Sequence, residues 1–300
     1  MTDSRNPPRI SVVIPAYNAA GFVSSAIESA WSQTLQPHEV IVVDDGSRDD
    51  TAAVVQSRDG HRVKLISQPN GGPASARNHG IREATGDWIA FLDSDDSWKP
   101  EKLERQSAYI SDEVGLIHCF IDADSVCNHP QVTVDFEALW QRNYVGTSTV
   151  LMRKSAWEQV GGFDDDRALV GAEDYNLWLK IAGANWRIAT LREGLSYYTP
   201  APDSIMTQIL QVVRAELLNV DRIAARFKIP QEMVQKKKVA IWDEYARTLL
   251  WMRNKPEARK LFGNILRTKP SAAALLHWMA TFVPDAILNW KRNLKSNVVS

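Results

Sequence analysis

Asp93-Ser94-Asp95 sets two carboxylates one residue apart, directly after an apolar run. Carboxylate oxygens suit a hard divalent cation such as Mg²⁺ or Mn²⁺. With so few protein ligands, such an ion would take further oxygens from a bound diphosphate and neutralise charge as that group departs. The same acids also fit a solvated turn or helix start, where Asp is common. Asp44-Asp45-Gly46-Ser47 carries two readings as well. It suits turn and cap chemistry ahead of Asp49-Asp50-Thr51. It also suits a pyrimidine base, because only an acceptor complements that base's imide N–H. Asn70-Gly71-Gly72, followed by Arg77, supplies a flexible loop and a guanidinium able to grip phosphate through paired hydrogen bonds. The plain alternative is a surface arginine on the first turns of a helix. Glu173-Asp174 opens a later helix, where the dipole and free N–H groups favour an anion. Such a carboxylate is either a cap or a general base that removes a proton from a hydroxyl. Trp178 lies one helical turn beyond Asp174; its indole suits the core, or stacking on a sugar ring.

The elements that would position these residues are legible in the apolar pattern. Short apolar runs predict strands at 10–14, 40–43, 63–66, 88–92, 114–121 and 147–152. Helical spacing predicts helices at 22–31, 50–57, 74–84, 100–110, 155–160 and 173–182. Strands alternating with helices imply right-handed crossovers and a largely parallel sheet. Ligands of such sheets bind at the carboxyl ends of the strands. The first, second and fourth strands end in Pro15-Ala16-Tyr17-Asn18, Asp44-Asp45 and Asp93-Ser94-Asp95, so these clusters share one edge. The acids gathered there repel one another unless a cation and hydrogen-bond donors join them. No Gly-x-Gly-x-x-Gly follows the first strand, and no Gly-x₄-Gly-Lys-Ser/Thr occurs. Dinucleotide and P-loop readings lose their fingerprints.

The 300 residues are 44% hydrophobic and 24% charged, the composition of a chain that buries a core. A net charge of −1 argues against nucleic acid as a partner. The charge is unevenly spread: residues 201–300 hold 17 Lys and Arg against 8 Asp and Glu. Two cysteines, Cys119 and Cys127, cannot form a disulfide framework or a four-cysteine zinc site, which points to a reducing cytoplasm. Neither a signal-peptide core nor a membrane-spanning run is visible. From residue 204 onward the pattern is helical, with breaks at Pro230 and Pro270, so residues 1–203 and 204–300 are expected to be separate domains. Residues 205–265 suit a helical cap. Residues 271–295 mix Leu, Trp, Met and Phe with Lys291, Arg292 and Lys295, and suit the surface of an anionic membrane. The expected location is cytoplasmic, peripheral on the inner face of the plasma membrane.

Six segments, taken in order, resemble the inverting family 2 glycosyltransferases of the GT-A fold. They are Ser11-Val-Val-Ile-Pro-Ala-Tyr-Asn18, Val42-Val-Asp-Asp-Gly-Ser47, Asn70-Gly-Gly-Pro-Ala-Ser-Ala-Arg-Asn78, Phe91-Leu-Asp-Ser-Asp-Asp96, Val160-Gly-Gly-Phe163 and Glu173-Asp174. The resemblance covers about residues 9–200. It implies an α/β fold with a Rossmann-like, mostly parallel sheet flanked by helices, followed here by a C-terminal helical extension. It implies that Pro15, Tyr17 and Asp45 touch the nucleoside of a nucleotide-sugar, with Asp44 in support and Ser94 in the same donor site. Arg77 would lie near the base or diphosphate. Asp93 would face the ribose or a metal-bound water, and Asp95, with Asp93, would hold Mn²⁺ or Mg²⁺. Asp174 would be the catalytic base, and Glu173 and Trp178 would place the acceptor. The implied donor is most commonly a UDP-sugar, with thymidine and guanosine donors as alternatives. The implied acceptor is a saccharide, free or lipid-linked, in cell-surface polysaccharide or glycolipid assembly.

The chain departs from the family in places. The Gln/Arg-x-x-Arg-Trp motif and membrane helices of processive synthases are absent, which points to single additions. After Asp174 the sequence has only His277, so a histidine ligand to the metal is not expected. Tyr197-Tyr-Thr-Pro-Ala-Pro-Asp203 stands where the family carries a basic, His-containing stretch. Residues 122–145, where acceptor choice is often set, carry no family motif. Two other classes compete. A non-catalytic nucleotide- or sugar-binding protein of the same fold would lose Asp95 or Asp174, and both are present. A sugar nucleotidyltransferase would carry a basic Gly-rich loop after the first strand, where this chain has Pro15-Ala-Tyr-Asn.

Overall fold

A computed structural model describes residues 7–59, 61–122, 134–199 and 205–285. The chain divides into two compact units, Met1–Ser204 and Ile205–Ser300.

In the first unit, β1 (Ile10–Ala16), β2 (Glu39–Asp44), β3 (Lys64–Ser67) and β4 (Trp88–Phe91) form a parallel block in the order β3-β2-β1-β4. β1 shows why its sequence reads as an unbroken apolar run. Ile10, Val12 and Ile14 join the core with Val23, Ala26, Ile27 and Ala30 of α1 (Val23–Trp31). Val13 points the other way, toward α3 (Pro73–Glu83). A strand covered on both faces has no polar side to alternate with. Gly80 lets α3 lie close on the sheet: a Cβ there would meet Val13 at 2.6 Å and Val43 at 3.2 Å. That close seat buries Arg77 and Asn78 of the same helix. α2 (Thr51–Asp59) follows β2.

The sheet continues through β7 (Val150–Arg153), β6 (Val114–Ile121), β8 (Arg187–Tyr197) and the short β5 (Ser97–Trp98), which gives eight strands among the described residues. β7 runs antiparallel to both β4 and β6, β6 is parallel to β8, and β5 is antiparallel to β8. The sheet is therefore mixed and mostly parallel, as the sequence reading has it; β7 and β5 bring in its antiparallel pairs. The run at 147–152 begins as a 3₁₀ turn, Thr147–Thr149, and is extended only from Val150. β8 had no strand signal because Arg187, Arg192 and Glu193 interrupt its apolar residues and its register against β6 slips. The helices of this half are α4 (Lys102–Ser107), α5 (Phe136–Gln141), α6 (Lys154–Val160) and α7 (Glu173–Gly183). α6 ends at Gly161, whose φ of 82° is a left-handed cap open to glycine.

The second unit comprises α8 (Ile205–Phe227), α9 (Gln231–Trp251), α10 (Lys255–Thr268) and α11 (Ala272–Ala280). Its core includes Val213, Ala246, Leu249, Phe262 and Ile265. Pro230 and Pro270 stand at the two expected breaks, and the Ser271 hydroxyl caps α11. A further break between α9 and α10 places Arg253 at φ 65°, just ahead of Pro256 in the first turn of α10. Of the lysines at 236–238, only Lys236 is exposed. Lys237 is buried, and Lys238 pairs with Asp221 at 2.6 Å. Burial lowers the Lys237 ammonium from its usual range, although Glu216 opposes the change. The triplet therefore does not form one cationic patch. No described helix is long and apolar enough to cross a membrane.

Candidate active site

Because β1, β2 and β4 run parallel, their carboxyl ends bring Pro15, Tyr17, Asp44, Asp45, Asp93, Ser94 and Asp95 to one edge. Tyr17 is exposed, and Pro15 and Ser94 are half-buried. Asp44 performs turn chemistry: its Oδ1 accepts the Ser47 N–H at 3.1 Å, across Gly46 at φ 74°. Asp45 is buried and serves the loop at 68–72. Its Oδ1 accepts from Gln68 Nε2 (2.7 Å) and the Gly71 N–H (2.8 Å), and its Oδ2 accepts the Gly72 N–H (2.8 Å). Asn70 donates to the Asp45 carbonyl at 2.9 Å, and Arg167 clamps Asn70 from the other side. The carboxylate expected to meet a base thus already organises its own loop.

Arg77 overturns its sequence reading. It is neither a surface arginine nor open to a phosphate: its side chain is 5% exposed. Nη2 donates to Asp93 Oδ1 at 2.7 Å and Nη1 to Glu173 Oε1 at 3.0 Å. Its guanidinium stands 5.7 Å from the centre of the Phe163 ring. Burial opposes its charge, but Asp93 and then Glu173 outweigh that cost and hold the group charged above its ordinary range. One buried cation therefore ties the Asp-x-Asp segment to the Glu-Asp segment. Glu173, expected beside an acceptor, is buried, and its other oxygen accepts the Gly171 N–H at 2.7 Å. It braces Arg77. Trp178 is also corrected: it is fully buried, with Phe91 and Phe163 rings each 6.2 Å away, so its indole belongs to the core.

Asp174 is half-buried at the start of α7. Its Oδ2 accepts from the Thr147 hydroxyl at 3.1 Å and its Oδ1 from the Tyr175 N–H at 2.6 Å. Burial, then the Glu173 charge, push its carboxyl up to about 7, against the opposing pull of Arg77. It lines a cavity of about 280 Å³ with residues 119–121 of β6, residues 142–146 and Thr149. The cavity walls include Arg142 and Tyr144, which carried no sequence signal.

The 3₁₀ turn Thr147–Thr149 was also missed. Thr147 holds Asp174. Ser148 donates to Asp96 Oδ2 at 2.6 Å and accepts the Asp93 N–H at 3.1 Å. Trp98 Nε1 fixes the Ser148 carbonyl at 2.7 Å. Adjacent hydroxyls of one turn thus reach both acidic segments. Asp96 is buried, and desolvation pushes its carboxyl up to about 6, with Asp93 adding to the rise.

Asp95 differs from its neighbours. Its side chain is exposed, and its carboxylate accepts from its own backbone N–H. Loss of hydration at this crowded edge, then the Asp93 charge, raise its carboxyl above its usual value. A hard cation would relieve that repulsion, and the oxygen donors of Asp95 and Asp93 fit one. Among the described residues no group of three His, Cys, Asp or Glu could hold a metal. The protein would supply only part of a coordination shell.

The sequence profile of Glycosyl transferase family 2 matches residues 11–163, just over half of the chain. The chain belongs to that family, and its fold is the GT-A fold. An uncharacterized glycosyltransferase of Rickettsia felis is 31% identical over 192 residues. That match covers 58% of this chain and only 31% of the relative, so the chain spans about a third of that protein's length. Solved structures share the fold, among them the following two. The mannosyltransferase of Pyrobaculum calidifontis in complex with GDP-Man and Mn²⁺ gives a TM-score of 0.67 at 19% identity, covering 97% of this chain and 81% of that one. Staphylococcus aureus TarS in complex with UDP gives 0.58 at 21% identity, covering 87% and 81%.

Proposed function

We propose that the chain is an inverting glycosyltransferase in which Asp174 is the general base. The carrying observation is a carboxyl at the wall of a cavity, held by Thr147 and placed one residue after the Glu173 that Arg77 ties to the Asp-x-Asp segment. In this reading Met1–Ser204 binds the nucleotide-sugar and performs the chemistry. An acceptor hydroxyl enters the cavity, and Asp174 takes its proton as the oxygen attacks the anomeric carbon. The bond to the nucleoside diphosphate breaks on the opposite face, so configuration inverts. Mn²⁺ or Mg²⁺ on Asp95 and Asp93 would stabilise charge on the departing diphosphate. Pro15, Tyr17 and Ser94 border the donor, while Asp44 and Asp45 shape the loops around it. The donor is a UDP-sugar, and the acceptor is a saccharide, free or lipid-linked, in cell-surface polysaccharide or glycolipid assembly. The enzyme works in the cytoplasm.

Calorimetric titration of UDP, TDP and GDP, with and without Mn²⁺, tests the donor half. One nucleotide binds in a metal-dependent way, and Asp95→Ala removes the metal effect. Failure of every nucleotide to bind folded protein at millimolar concentration would instead favour a protein without this activity.

The catalytic half has its own signature. Only ionised Asp174 accepts a proton, so kcat/KM falls by about tenfold per pH unit below about 7 and levels off above it. A profile flat from pH 6 to pH 8, measured at saturating Mn²⁺, would remove Asp174 from that role.

A further inference from the structure

We infer that the outer face of α11 docks on an anionic lipid surface. α11 buries Ala274 and stacks His277 on Phe262, with ring centres 5.5 Å apart. The opposite face carries Leu275, Leu276 and Met279, and Phe282 follows one turn later. These side chains are 46%, 67%, 54% and 55% exposed. Single exposed apolar residues are ordinary, but four large ones on one helical face form a patch that marks an interaction site.

Charge selects the occupant. Arg259 lies 3.7 Å from the Phe282 ring centre and donates to Thr281, and Lys255 donates to the Val283 carbonyl at 2.7 Å. Arg253 and Lys255 both reach Asp285, at 3.8 and 2.6 Å. Among the described residues, Arg253, Lys255 and Arg259 thus stand at the end of the patch, with Asp285 between two of them. Trp290, Lys291, Arg292 and Lys295 lie outside the described residues. Apolar side chains beside excess positive charge complement a bilayer of anionic headgroups, where burial of the face and attraction to the surface act together. A second copy of the same cationic face would add repulsion to apolar contact, which disfavours self-association.

The test is co-sedimentation of the full chain with phosphatidylcholine vesicles, with and without phosphatidylserine. The protein sediments with the anionic vesicles and much less with the neutral ones, and raised salt weakens the effect. Leu276→Glu lowers the bound fraction's partition coefficient by roughly tenfold or more, while circular dichroism and nucleotide binding stay unchanged. If that variant loses its helical signal, Leu276→Ser serves in its place, with the same expected direction. Equal sedimentation by wild type and either folded variant would overturn the inference. So would absence of binding to anionic vesicles, or self-association in ultracentrifugation that Leu276→Glu abolishes.

Discussion

Asp174→Asn lowers kcat by about 10²–10⁴-fold, the usual contribution of a positioned general base. The amide is nearly isosteric: its oxygen can keep the Tyr175 N–H, and its NH2 can donate to the Thr147 hydroxyl, which accepts as well as donates. Arg77 keeps Asp93 and Glu173, so the brace beneath the site is unchanged. What is lost is the capacity to take a proton. Donor affinity, read by calorimetry, stays within about threefold of wild type, because the nucleotide's expected contacts lie at the ends of β1, β2 and β4. A fall in kcat of less than tenfold, with donor affinity preserved, would mean that another group removes the proton. Glu173 is a poor substitute, since it is buried and held in an ion pair by Arg77.

Arg77→Met destabilises the protein by about 3 kcal/mol, the lower part of the range for breaking a buried ion pair. The lower part applies because Asp93 is 33% exposed and water screens its share, whereas Glu173 is only 10% exposed and left without its partner. Urea unfolding at pH 7 reads the loss, and less than about 1 kcal/mol would contradict the bridge. A second readout separates position from stability. Arg77 pulls the Asp174 carboxyl down, against burial and Glu173. Without it that carboxyl rises, so the ascending limb of the pH profile moves to higher pH. Arg77→Lys keeps the charge but replaces a planar fork with one compact ammonium, and one ammonium does not match both carboxylates. It restores part of the stability and part of the profile.

The parallel half of the sheet was legible because both of its faces are buried, leaving uninterrupted runs such as Ile10–Ala16. The other half was legible only in part: the run at 114–121 is β6, and the run at 147–152 contains most of β7. β8 carries charged residues between its apolar ones, and β7 begins inside a turn whose Thr and Ser look unremarkable in a linear reading. Candidate acids were found because they sit at strand ends and a helix start. Their division of labour was hidden, since it depends on bonds across long stretches of chain. Arg77 meets Glu173 over 96 residues and Ser148 meets Asp96 over 52. No local spacing encodes such pairings. Trp178 went to the core, the plainer of its two readings, because the face of α7 it occupies turns toward Phe91 and Phe163. The cavity beside Asp174 draws on residues 142–146, whose lining role comes from tertiary placement rather than from any motif.

The loop held by Asp45 has a thermodynamic corollary. Three N–H donors from residues 68–72 converge on one buried carboxylate, so folding itself sets the loop's conformation. A ligand arriving at that edge meets a surface already ordered. The entropy of arranging the loop is then part of the folding free energy and not of association. Affinity there is governed by shape and hydrogen-bond match, and the heat-capacity change on binding reflects the area covered, with no added signature of a segment folding onto its ligand.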